Sequence, residues 1–243
     1  MKVGLITGAS GAIGNAIALE LAKEGYSLFL HYNSNEPSCL GLANRLLKAY
    51  PEQFFKPIKA NFFIRQEVNQ FLDGLPHNQI ELLVHNSGHS LLKLFQDVEE
   101  DELDQMIVHH MKVPFRVTQA LVPHMIKEKC GQIIFISSIW GQTGASMEVA
   151  YSMVKGAQIS LTKALAKELA PSGVTVNAIA PGAVETPMMA AFDKLEKEAL
   201  IEEIPLGRLA NPSEVAGLVR YLCQPEASYM TGQVLAINGG WYC

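Results

Sequence analysis

The chain has 243 residues, 49% of them hydrophobic, and a formal net charge of −5. That length and apolar content suit a globular α/β domain with a sizeable core, while the acidic balance and the lack of a Lys/Arg-rich run exclude nucleic acid as the expected partner. Cys39, Cys130, Cys223 and Cys243 are widely spaced, with no CxxC and no Cys/His cluster at zinc spacing, so free thiols in a reduced, cytoplasmic compartment are expected, with neither disulfide nor metal site. No apolar run reaches the roughly 18 residues of a membrane span, and Val3-Gly4-Leu5-Ile6 reads directly as a strand rather than as part of a signal peptide.

Short apolar runs alternate with longer segments of helical period, the pattern of βαβ units building a parallel sheet covered on both faces. In chain order the reading is strand 3–7, helix 12–24 closed by Gly25, strand 27–32, helix 37–50, strand 55–60, helix 65–75, and strand 81–85. A long helical segment 99–129 follows, which Pro114 and Pro123 are expected to break or bend. Then come strand 132–137, helix 151–170 closed by Pro171 and Gly173, strand 175–179, helices 188–203 and 212–223, and strand 234–237. With no repeat, low-complexity tract or linker, residues 1–243 read as one domain.

Between the first strand and the first helix lies Thr7-Gly8-Ala9-Ser10-Gly11-Ala12-Ile13-Gly14. Glycines there let the backbone approach a pyrophosphate, whose charge is favoured by the free N–H groups of a helix amino terminus; a tight βα turn alone also accounts for such a triad. At the end of the second strand, where an acidic residue ordinarily binds the ribose hydroxyls of NAD, the chain has His31-Tyr32-Asn33-Ser34-Asn35. Asn33 and Ser34 can donate to the extra phosphate of NADP, although Glu36 follows closely, so NADP(H) is the expected cofactor with NAD(H) not excluded.

Tyr151 and Lys155 stand one helical turn apart on one face, and Ser138 sits at the carboxyl end of the fifth strand. A nearby ammonium favours a phenolate. Tyr151 is therefore expected to give a proton to a carbonyl oxygen, with Lys155 lowering its pKa and binding the cofactor ribose, and Ser138 hydrogen-bonding the carbonyl. The spacing alone arises easily by chance on an amphipathic helix; its company makes it specific.

Over essentially its full length the chain resembles the short-chain dehydrogenase/reductases. The glycine turn matches that family's TGxxxGxG, Tyr151-Ser152-Met153-Val154-Lys155 its YxxxK, and His85-Asn86-Ser87-Gly88 its NNAG element. Pro181-Gly182 with Val184 and Thr186 resembles its nicotinamide-contacting segment, and Asn238-Gly239-Gly240 the close of its last strand. The resemblance implies a Rossmann-type, doubly wound parallel sheet of about seven strands, hydride transfer from a nicotinamide, and commonly a homotetramer pairing through segments 99–129 and 151–170 and the tail Trp241-Tyr242-Cys243. It assigns cofactor contacts to Gly8, Ser10, Gly11, Ile13, Gly14, Asn33, Ser34, Asn61, Asn86, Gly88, Tyr151, Lys155, Pro181, Gly182, Val184 and Thr186.

Three positions depart from the pattern. Ala12 replaces the middle glycine of the turn, and Gly11 stands where many NADPH-using members carry Arg. His110 occupies the place of the catalytic Asn, which in the family helps hold a water in a proton relay. Either a ring nitrogen of His110 supports that water or the residue only packs beside His109 and Met111.

Segments 131–141, 174–187 and 229–240 are most similar to bacterial 3-oxoacyl-acyl-carrier-protein reductases, whose acidic partner calls for basic residues at the mouth of the site. Here Lys129 keeps one such position but Ser172 replaces another, and 185–203 carries Glu185, Asp193, Glu196, Glu198, Glu202 and Glu203 against Lys194 and Lys197. An acidic lid repels an acidic carrier. A second reading is thus reduction of an amine-bearing or protein-attached ketone, with a fainter resemblance to the Gram-positive reductases of an aminopentanone group on elongation factor P. A third, from another class, is a non-catalytic dinucleotide-binding protein, and alcohol oxidation with NAD remains an alternative direction.

Overall fold

Residues two apart on a strand share a face, and in this chain both sets are apolar. In a computed structural model, which describes residues 2–187, 189 and 193–242, β1 Lys2–Ile6, β2 Tyr26–Tyr32, β3 Phe55–Lys59, β4 Leu82–His85, β5 Gly131–Ile136, β6 Val174–Pro181 and β7 Val234–Ile237 form one sheet in the order β3-β2-β1-β4-β5-β6-β7. Every pairing is parallel. On one face Ile6, Leu28, Leu30, Val84 and Ile134 meet α1 Ala12–Lys23, α2 Glu36–Ala49 and α9 Pro212–Leu222. On the other, Val3, Leu5, Leu83, Ile133 and Val176 meet α3 Arg65–Asp73, α5 Val113–Glu128 and α7 Val149–Leu169. The strand order reverses beside β1 and β4, which opens a crevice at the carboxyl ends of the strands.

The sequence-derived strands all form, with ends displaced by a residue or two. The 99–129 segment is not one helix. It divides into α4 Glu100–Ile107, a π-helical turn Val108–Lys112 and α5. Pro114 lies in the first turn of α5 and has no N–H for the carbonyl of His110 four residues earlier, so the helix cannot run through in α register. Pro123, in contrast, is held inside α5 without ending it. It lies on the exposed face with Gln119.

A short helix not expected from the sequence, α6 Trp140–Thr143, follows β5. The expected helix 188–203 is described as α8 Lys194–Glu203, its start at Met188 lying outside the described residues. Cys39, Cys130 and Cys223 are free thiols, and no helix among the described residues is long and apolar enough to cross a membrane.

Candidate active site

The glycine turn is compressed from two sides. Gly8 has φ +69°, and a Cβ there would lie 2.8 Å from the Cα of Ser87. A Cβ on Gly14 would fall inside contact distance of the Gly8 carbonyl and 2.8 Å from the Asn86 amide nitrogen. Asn86 Nδ2 donates to the carbonyls of Thr7 and Gly8, each at 3.1 Å, while Thr7 Oγ1 accepts from the backbone N–H of Asn86 at 3.0 Å and of Ser87 at 3.1 Å. Gly11 is the N-cap of α1 and brings no side-chain acceptor, so the first N–H groups of that helix, around Ile13, are open to an anion. Ser10 is tied at its carbonyl by Ser38 Oγ at 2.9 Å. A turn this bare and this close fits a dinucleotide pyrophosphate.

His31 braces the turn. Its Nδ1 accepts from Gly8 N–H at 3.1 Å and its Nε2 lies 3.0 Å from the Ala60 carbonyl, which places the proton on Nε2. Burial lowers its pKa to about 4, so it stays neutral. Beyond β2, Asn35 accepts from Ser38 N–H and caps α2, leaving half-buried Asn33 and exposed Ser34 at the strand end. Glu36 instead acts on the Tyr32 phenol, raising its pKa after burial. Asn61, just past β3, accepts from Phe63 N–H at 3.0 Å through Oδ1.

Ser138, Tyr151, Lys155 and His110 come together at the other end of the crevice. Ser138 follows β5, and its Oγ accepts from Trp140 N–H at 3.2 Å. Tyr151 lies in the first turn of α7, with Lys155 Nζ 5.5 Å from its ring centre. Lys155, 4% exposed, donates to the Ile136 carbonyl at 2.8 Å and faces Gln158 Oε1 at 3.4 Å. The His110 ring stands perpendicular to Tyr151, centre to centre 5.8 Å. It packs under Gly88, whose added Cβ would lie 2.7 Å from His110 Cε1. His110 Nε2 is 2.9 Å from the His89 carbonyl. Pro181 accepts from Ile139 N–H at 3.0 Å, Gly182 donates to Ile237, and Val184 bridges Ala210, which sets this segment beside Ser138. Thr186 accepts from Met189 N–H at 2.9 Å.

Burial governs the charges here. It lowers Lys155 to about 7. The Tyr151 phenol, expected to be drawn down by that ammonium, is instead pushed above its ordinary value by burial and then by Glu148, with the Ser138 hydroxyl opposing. Burial also lowers His109 to about 3 and His110 well below the ordinary range, and the Lys155 charge acts in the same direction. Both imidazoles are neutral at physiological pH.

Three features escaped the sequence. His85 of the NNAG-like element points away from the crevice, bonding Thr118 at 2.9 Å and stacking on Phe135. Glu148, the N-cap of α7, puts a half-buried carboxyl beside Tyr151. Gln158 fills a place that an apolar residue suits by helical period. Its one sequence signal is the Lys155 spacing of three residues.

Known proteins resemble the chain over nearly its whole length. The family described as enoyl-(acyl carrier protein) reductase matches residues 8–242. The chain is 46% identical over 242 residues to the uncharacterized oxidoreductase YmfI of Bacillus subtilis, covering 100% of this chain and 99% of that protein. It is 37% identical over 243 residues to the 3-oxoacyl-[acyl-carrier-protein] reductase FabG of Aquifex aeolicus, covering 99% and 97%. The structure of acetoin dehydrogenase from Enterobacter cloacae superposes with a TM-score of 0.89 at 30% identity, covering 99% of this chain and 95% of that one.

Proposed function

The chain belongs to the short-chain dehydrogenase/reductase family, as an oxidoreductase of CH–OH/C=O groups that uses a nicotinamide dinucleotide, and on that premise we propose that it reduces a ketone to a secondary alcohol with NADPH, most like a 3-oxoacyl-[acyl-carrier-protein] reductase. The observation that carries this reading is the convergence of Ser138, Tyr151 and Lys155 at one end of the crevice whose other end is the bare amino terminus of α1. Gly8, Ser10, Gly11, Ile13 and Gly14 would hold the pyrophosphate, Asn33 and Ser34 the 2′-phosphate, and Asn61 the adenosine side, with Asn86 bracing the turn and Gly88 lining the crevice beside His110. Pro181, Gly182, Val184 and Thr186 would border the nicotinamide, with Lys155 on its ribose. When bound, the dihydronicotinamide supplies hydride to the carbonyl carbon.

Ser138 hydrogen-bonds the carbonyl oxygen, and Tyr151 delivers its phenolic proton to that oxygen as negative charge develops there. A high phenol pKa keeps the proton in place until the oxyanion forms, and the Lys155 ammonium then stabilises the tyrosinate. The His110 ring stands against Tyr151 as a neutral neighbour. Its bond to the His89 carbonyl, rather than to Lys155, favours orientation over proton carriage. We read residues 1–243 as one working domain, because one sheet takes strands from both ends of the chain, and place it in the cytoplasm, which the free described thiols suit; a homotetramer follows the family resemblance alone.

A second reading, reduction of an amine-bearing or protein-attached ketone such as aminopentanone on elongation factor P, is favoured by Glu148 beside Tyr151. The acidic α8 adds to it, with Glu203 bonded to Trp241 Nε1 at 3.3 Å. NADPH oxidation measured with an acyl-carrier-bound 3-ketone and with an aminoketone separates the two. Higher kcat/KM on the carrier substrate supports the first, and higher kcat/KM on the aminoketone, lost in Glu148→Gln, supports the second. Cofactor binding without oxidation of any ketone contradicts both.

A further inference from the structure

The π-helical turn leaves one carbonyl without its helical donor, and a buried side chain takes it. In α register the His110 carbonyl would receive the nitrogen of residue 114, which is a proline. It receives Gln158 Nε2 instead, at 2.9 Å. Because that end of the amide must donate, its other end, Oε1, is an acceptor turned toward Lys155 Nζ at 3.4 Å. Gln158 is 2% exposed, on a face of α7 otherwise occupied by Val154, Ile159, Thr162 and Ala166.

We propose that Gln158 is a positioning residue for the reaction, its amide clamping the Lys155 ammonium to the His110 carbonyl across the crevice floor. The role rests on Lys155 acting as in the preceding reading. The ammonium has three N–H donors: one is spent on Ile136, one faces Gln158, and the third is left for the side of Tyr151, where the cofactor ribose would lie. A leucine at 158 would leave both the His110 carbonyl and the lysine short of a partner in a buried place, which is costly for each. The link also explains how a histidine serves where the family pattern has asparagine. The backbone of residue 110 makes the connection to the lysine, and its side chain is free to differ.

Oε1 also favours the charged lysine. The ionisable groups around Nζ are Tyr151 on its own helix, His109 and His110 on the π-turn and His89 after β4. The three imidazoles are held neutral, and no carboxylate acts on the lysine among the described residues. Its charge therefore depends on main-chain and amide oxygens alone.

The test is NADPH affinity by calorimetry across pH 6 to 10, for wild type, Gln158→Leu and Gln158→Glu. Affinity falls as pH rises through the lysine pKa. The midpoint of that fall is expected about one pH unit lower in Gln158→Leu, which removes the acceptor, and about one unit higher in Gln158→Glu, which adds a carboxylate. If the leucine variant does not fold, the upward shift in the isosteric glutamate variant decides. A purely structural role would weaken binding equally at every pH. Wild-type affinity without a midpoint, or one midpoint shared by all the folded proteins, overturns the role. These outcomes are read whether or not any ketone is reduced, so moved midpoints with an inactive wild type would instead sink the ketone-reductase reading alone.

Discussion

The glycine turn and the Tyr151 corner both use buried histidines, yet they differ in how completely their polar atoms are matched. At the turn, His31 has both ring nitrogens engaged, Asn86 bonds two carbonyls and Thr7 Oγ1 accepts two N–H groups. At the corner, His89, His109 and His110 each keep a buried Nδ1 without a partner among the described residues, and a buried lysine sits beside them. The first region is a preorganised cradle whose cost is met within the fold. The second keeps unbalanced groups whose pKa values lie far from those in water, a condition typical of reacting centres. Met147, near the start of α7, has φ 62° and adds backbone strain to the same corner.

The contrast breaks first at Gly14. In Gly14→Ala the new methyl meets the Gly8 carbonyl and the Asn86 amide. A loss of about 1–3 kcal/mol in denaturant unfolding and NADPH binding weaker by at least about 10-fold, or 1.4 kcal/mol, are expected. Gly217→Ala, inside α9 where an added Cβ meets nothing within 4 Å, is the control: it leaves NADPH binding unchanged and raises stability by up to about 1 kcal/mol through helix propensity. An alanine accepted equally at both positions means that the cradle is not rigid.

Removing the unbalanced charge should act in the opposite direction. Burial brings Lys155 from 10.5 to about 7, so between those values the unfolded chain holds a proton that the folded one has released. Stability therefore rises with pH across that window, and below about 7 the burial cost of the charge is felt in full. Lys155→Met should raise the thermal midpoint at pH 7 by about 2–4 °C, with the gain shrinking toward pH 10, while ketone reduction is lost. A lower midpoint in Lys155→Met would show that the ammonium contributes more to the fold than it costs.

The smallest effect is expected at His110. His110→Ala keeps the carbonyl that receives Gln158 and removes a neutral ring, so kcat falls by less than about 10-fold, a loss short of that for a general acid, with its pH profile unmoved. A displaced pH limb would assign proton transfer to the ring and sharpen the family comparison at that position.

Much of this was legible in the chain. The strands other than β3 carry short continuous apolar runs, and Ser138, Tyr151 and Lys155 lie together at the carboxyl end of the sheet, as their order implies. The π-turn was not legible, because periodicity sees Pro114 and Pro123 as equal interruptions. Only burial shows that one is enclosed and the other exposed. Nor was Gln158, whose partner carbonyl is 48 positions earlier and exists only once the helix has slipped register. The upward shift of Tyr151 follows from enclosure and from Glu148, neither of which spacing encodes.

The central claim, that Tyr151 delivers the proton in ketone reduction, is tested most directly by Tyr151→Phe, with NADPH affinity and ketone-dependent NADPH oxidation measured on one preparation. The expected result is affinity within about 3-fold of wild type, under 1 kcal/mol, and oxidation reduced by about 10²–10⁴-fold. Oxidation at the wild-type rate with cofactor affinity unchanged would contradict it.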